Sequence, residues 1–71
     1  MTDTDALRRC IASHGFTLTY VAKTLNISRE ALYHKLNGTT EFWASEILAL
    51  RKLLDLSPSE FNSIFLLNKG N

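Results

Sequence analysis

The chain has a single cysteine, a single proline, three glycines and almost no net charge, +1 over 71 residues. A lone thiol, Cys10, excludes an internal disulfide framework and fits a reducing compartment. Few helix breakers beside 45% hydrophobic residues argue against disorder and suit a helical globule. No stretch approaches the roughly 20 apolar residues of a membrane span. The opening MTDTDALRRC is acidic where a secretory leader would be basic, so a cytoplasmic protein without a membrane partner is expected. No glycine-rich phosphate loop occurs, and no serine, histidine and acidic residue form an activated set, so an enzyme is not expected. Cys10 and His14 can share a helix face, but His34 belongs to a different helix. A structural zinc site wants four ligands, so neither metal nor cofactor is expected. The weak charge, with an isoelectric point near 7.9, falls short of a strongly basic nucleic-acid footprint.

What is present lies chiefly in residues 17–38, TLTYVAKTLNISREALYHKLNG. Val21, Ala22 and Leu25 recur at helical spacing, Ile27 sits in a short connection, and Leu32 and Leu36 stand four apart on the next helix. Ala22 is small enough to let a second helix cross the first closely. Asn26 ends the first helix, because asparagine tolerates the left-handed conformation there. Thr17 and Ser28 can cap the two helices, their hydroxyls accepting from unpaired backbone N–H groups. Asn37 and Gly38 close the second helix. Caps, turn and apolar positions thus predict one helix-turn-helix. Its polar remainder, Arg29, Glu30, Tyr33, His34 and Lys35, is expected to point outward. Lys23, Arg29 and Lys35 against Glu30 give the segment a net of +2.

The flanking segments predict three further helices in a single domain spanning residues 1–71. Asp3 or Thr4 caps the first, with Leu7, Ile11 and Cys10 inward, Arg8 and Arg9 in solvent and Gly15 as its stop. Phe16 precedes the Thr17 cap as a hydrophobic staple would. Phe42 and Trp43 follow in the loop TTEFW, where they are expected to anchor it to the core. A helix from about Ala44 to Leu54 should face inward with Ile47, Leu48, Leu50 and Leu54, and Arg51 and Lys52 favour its C-terminal dipole end. Ser57-Pro58-Ser59-Glu60 spells a capping box with proline at the first position. Phe61, Ile64 and Phe65 complete a short fifth helix. Leu66 and Leu67 form an apolar end that is either a last packing layer or a dimer seam, and Asn68 to Asn71 should fray.

The five helices in this order resemble the Cro and repressor family of phage helix-turn-helix regulators, and the resemblance covers nearly the whole chain. Its most specific stretch is residues 18–38, ending in Leu36-Asn37-Gly38. TTEFWASEI and SPSEFNSIF resemble small regulators of temperate phages of Gram-positive bacteria, both Cro-like and modulator-of-repression proteins. The resemblance implies an all-α, five-helix bundle of the lambda repressor-like DNA-binding fold. It further implies double-stranded operator DNA as partner in a bacterial host cell, and a role in the lysis–lysogeny switch.

By the same resemblance, Ser28 to Leu36 would lie in the major groove. Arg29 is the candidate for guanine O6 and N7, Glu30 for a cytosine amino group, and Tyr33 and His34 for bases or backbone. Thr17, Lys23, Ser28, Lys35 and Asn37 are the candidates for positioning on the DNA, mainly through phosphate. Leu18 stands where the family usually carries a backbone-contacting glutamine, and leucine cannot make that bond. Two other uses of the surface therefore stay open. One is docking onto a partner repressor through Leu18, Tyr33 and Trp43, since aromatic residues concentrate at the energetic centres of interfaces. The other is plain helical scaffolding. A homodimer fits the first, DNA-binding use.

Overall fold

The computed structural model describes residues 1–65, which form α1 (Thr4–Ser13), α2 (Leu18–Thr24), α3 (Arg29–Leu36), α4 (Ala44–Leu53) and α5 (Pro58–Phe65). Their starts follow from local side-chain chemistry. Asp3 Oδ1 accepts from the N–H of Ala6 at 3.1 Å, Thr17 Oγ1 from Tyr20 at 3.1 Å and Ser28 Oγ from Ala31 at 3.0 Å. The capping box is complete at α5: Ser57 N–H donates to Glu60 Oε1 at 2.8 Å while Glu60 N–H donates to Ser57 Oγ at 3.1 Å. Each pairing satisfies a donor that the first helical turn leaves without a partner.

Four helix ends share one device. Gly15, Asn26, Gly38 and Asp55 all take positive φ, at 74°, 60°, 80° and 50°. The next residue then donates back across the last turn: Phe16 to Ile11, Ile27 to Ala22, Thr39 to His34 and Leu56 to Arg51. This six-to-one closure is the Schellman motif, and it commonly carries an apolar residue just past the turn. Phe16, Ile27 and Leu56 fill that role and fold back onto the core. Asp55 performs the turn at the end of α4, which the sequence pattern alone left without a stop residue. Only after α3 is the residue polar, Thr39, so the end of that helix is not pinned from beneath by an apolar plug.

The core collects Leu7 and Ile11 from α1, Val21 and Ala22 from α2, Leu32 and Leu36 from α3, Leu50 from α4 and Phe61, Ile64 and Phe65 from α5. Ala22 is 2% exposed where α2 packs against α3. α1 packs on both α3 and α5, and Asp3 N–H bonds the Ile64 carbonyl at 2.6 Å, tying the N-terminal segment to the last helix. Phe42 and Phe65 meet edge to face, with ring centroids 6.3 Å apart. Phe16 rests on Tyr20, centroids 5.1 Å apart, so the staple closes on the third residue of α2.

Two expectations fail here for definite reasons. Leu48 is 61% exposed, because the inward stripe of α4 runs Ile47, Leu50, Leu54 and position 48 lies about 100° round the helix from Ile47. Trp43 does not anchor the loop and is 69% exposed. It is the N-cap of α4 in extended conformation, where successive side chains point to opposite sides, so Phe42 turns in and Trp43 out. The expectations for Leu66, Leu67 and Asn68 to Asn71 lie outside the described residues.

Candidate nucleic-acid interface

α3 presents one face to its neighbours and another to solvent. Leu32, Leu36 and Lys35 are buried, while Arg29, Glu30, Tyr33, His34 and the C-cap Asn37 are exposed. At about 100° per residue the exposed set spans roughly 140° of the helix, with Arg29 and His34 at its edges and Tyr33, Asn37 and Glu30 between them. The arc is wide enough to be laid against another surface along the whole length of the helix.

Along one side of this arc the side chains are ordered by each other. Arg29 Nη2 donates to Tyr33 Oη at 3.0 Å, and its guanidinium carbon stands 5.6 Å from the centre of the Tyr33 ring. One turn further, Asn37 Oδ1 accepts from Arg8 Nη2 at 2.9 Å. Arg8 belongs to α1, so a cation from outside the helix-turn-helix stands at the C-terminal end of the exposed arc. No sequence pattern announces it: the two residues are 29 positions apart and meet only because α1 packs on α3.

Lys35 departs most from expectation. It does not point outward but is 8% exposed, its Nζ lying 3.1 Å from Glu46 Oε1 and donating to the Glu41 carbonyl at 2.9 Å. The ammonium stands 5.4 Å from the Trp43 ring centre and 5.9 Å from that of Phe42. Lysine can run its methylene stem through apolar surroundings, and here a carboxylate from α4 waits at the far end. Glu46 Oε1 also accepts the Trp43 N–H at 2.8 Å, so one carboxylate both caps α4 and neutralises Lys35. The charge of Lys35 is thereby withdrawn from the outward face, which keeps Lys23 and Arg29 against Glu30, joined by Arg8.

The remaining candidates sit around this arc. Lys23 is exposed on α2 and, with Thr19, Asn26, Ser28 and Arg29, lines the shallow groove between α2 and α3. Thr17 and Ser28 are exposed and already act as caps, their oxygens accepting while their hydroxyl protons stay free for an external acceptor. Leu18 is half-buried and packed against the core, so only its outer edge meets solvent.

Among the described residues no group of three or more metal-ligating side chains comes together. Cys10 is half-buried, and burial followed by the nearby Glu60 carboxylate pushes its thiol above the ordinary range, away from the reactive thiolate. His14 Nδ1 bonds the Cys10 carbonyl at 2.9 Å, an ordinary helix-end contact. No helix among the described residues is long and apolar enough to cross a membrane.

Residues 1–37 match the family model described as bacterial regulatory protein, Fis family, a span that runs from the N-terminus through α1, α2 and α3 and ends on the C-cap Asn37. It covers just over half of the chain and contains Arg8, Arg29, Tyr33 and Asn37 together. Neither a curated protein nor a solved structure matches the chain.

Proposed function

The chain belongs to the Fis family of bacterial regulatory proteins, helix-turn-helix regulators that act on DNA, and we propose that it is a phage-type transcriptional regulator. In this reading Ser28 to Asn37 enter the major groove of operator DNA, and the protein takes part in a lysis–lysogeny switch in the bacterial cytoplasm. The observation that carries it is the exposed arc of α3, in which Arg29, Glu30, Tyr33, His34 and Asn37 are all left to solvent along one recognition-helix face. Arg29 heads the helix, where this motif offers side chains to base edges, and Arg8 and Lys23 flank it with charge for phosphates. The phage assignment rests on the resemblance of residues 39–47 and 57–65, which lie beyond the family match. A dimer of this motif class would set two such helices about 34 Å apart.

The test is an electrophoretic shift with phage operator DNA at stated salt, with and without the cognate repressor. Arg29→Ala should lower specific affinity by about 1–3 kcal/mol and relax preference at one base pair, while Lys23→Ala should weaken all sequences alike. Equal loss on specific and random DNA for Arg29→Ala removes its base-reading role.

A second reading has its own support: Trp43 is a large exposed aromatic and Lys35 lends no charge to the face. The protein would then dock on a partner repressor through Trp43, Tyr33 and the outer edge of Leu18, altering that protein's DNA binding. An effect only in the presence of the repressor, abolished by Trp43→Ala, would favour it.

A further inference from the structure

We propose that Tyr33 is a positioning residue that makes Arg29 a reader of guanine, so that base discrimination at one operator position belongs to the pair and not to the arginine alone. The inference rests on the DNA-binding reading above and adds to it a division of labour within the recognition helix.

Arg29 is the first residue of α3 and Tyr33 stands one turn behind it, about 6 Å along the axis. An exposed arginine at a helix start ordinarily samples many rotamers, and binding must then immobilise it. Here the side chain is held twice by the same partner. Tyr33 Oη accepts from Nη2 at 3.0 Å, and the guanidinium lies within cation–π range of the ring, 5.6 Å from its centre. Among the described residues no carboxylate pairs with Arg29, so its charge is held in place without being neutralised.

The donor count agrees. A guanidinium carries five N–H donors, and Tyr33 uses one of the two on Nη2. If that proton is the one beside Nε–H, the end-on fork of Nη1 and Nη2 stays whole; if it is the other, the side-on fork of Nε and Nη2 does. Either way one two-pronged edge is left for O6 and N7 of a guanine, the base that offers two acceptors side by side in the major groove. Phenylalanine at 33 would keep the ring and lose the hydrogen bond.

The experiment selects duplexes from a randomised pool with the wild-type protein at fixed salt, then replaces each guanine of the winning site by 7-deazaguanine, which pairs normally but lacks N7. One position is expected to weaken wild-type binding about five- to hundredfold. Tyr33→Phe, with an unchanged melting temperature, is expected to raise Kd for the intact site about two- to tenfold, leave random DNA unaffected and shrink the 7-deazaguanine effect at that position. In an Arg29→Ala background Tyr33→Phe should change nothing further. Equal loss on selected and random DNA, an undiminished 7-deazaguanine effect, or additivity with Arg29→Ala would each overturn the proposal. A pool that wild-type protein does not enrich at all instead defeats the DNA reading, and this inference with it.

Discussion

Replacing Lys35 by alanine is expected to damage the fold, not to trim a contact with DNA. Its ammonium has a carboxylate at 3.1 Å and a carbonyl at 2.9 Å, with both residues of the ion pair at least nine-tenths buried, 8% and 6% exposed. Removing one member of such a pair strands the other, at about 3–5 kcal/mol, whereas an exposed pair is worth about 0–1 kcal/mol. A domain of this length has a total stability of only about 4–11 kcal/mol, so the loss takes a large share of it. With an unfolding entropy of about 0.15 kcal/mol per kelvin for a chain of this size, the melting temperature should fall by about 20–35 °C. Glu46→Ala should do at least as much, since it also removes the acceptor of the Trp43 N–H. The double variant Lys35→Met with Glu46→Leu replaces the pair by apolar volume and should recover most of the loss, because pairs of this kind gain little over a hydrophobic substitute. Calorimetric melting and urea unfolding of the two alanine variants and of the apolar double compare a stranded buried charge with an apolar replacement of the pair. A loss below about 1 kcal/mol for Lys35→Ala would mean that water reaches the pair as it does a surface one, and the reasoning from burial would be wrong.

Other consequences can be checked on the same material. Leu50→Ala should lose about 2–5 kcal/mol in urea unfolding while Leu48→Ser stays within about 0.5 kcal/mol of wild type, although the sequence pattern treats the two leucines alike. Asn26→Ala should destabilise by about 1–2 kcal/mol and Asn26→Gly should be neutral or slightly stabilising, because φ at this position is 60°. Backbone and then hydroxyl hydrogen bonds from Ser57 hold the Glu60 carboxyl below its ordinary range. A folded-state value below the unfolded one confers stability above the ordinary carboxylate range that is lost as pH falls through it. Melting temperatures followed from about pH 7 to about pH 3 should therefore drop less steeply for Glu60→Gln than for wild type.

Most helix starts and stops of this protein were legible in its sequence because they are decided within about six residues; both ends of α4, at Trp43 and Asp55, were not. Thr17 and Ser28 cap from their own hydroxyls, Asn26 and Gly38 turn the chain where the pattern ends, and Ser57 with Glu60 closes a box inside a single turn. Val21, Leu25, Leu32 and Leu36 declare their face by spacing alone, which made the helix-turn-helix and the all-α class readable. The family match to residues 1–37 agrees with that motif. The solvent face of α3 was largely readable in the same way, since whatever is not apolar at helical spacing is left outside.

Periodicity separates polar from apolar positions but does not say which polar group will find a buried partner. Lys35 looks like any outward lysine until α4 packs with Glu46 opposite it. Arg8 looks like a solvated residue of α1 until Asn37 arrives from α3. Phe42 and Trp43 are adjacent aromatics, and only the extended entry into α4 sends one inward and the other out. Sequence alone therefore determined the helices, the caps of all but α4 and the existence of an outward recognition face. The tertiary structure decided which charges that face keeps, because neutralisation and burial depend on groups brought together from distant parts of the chain.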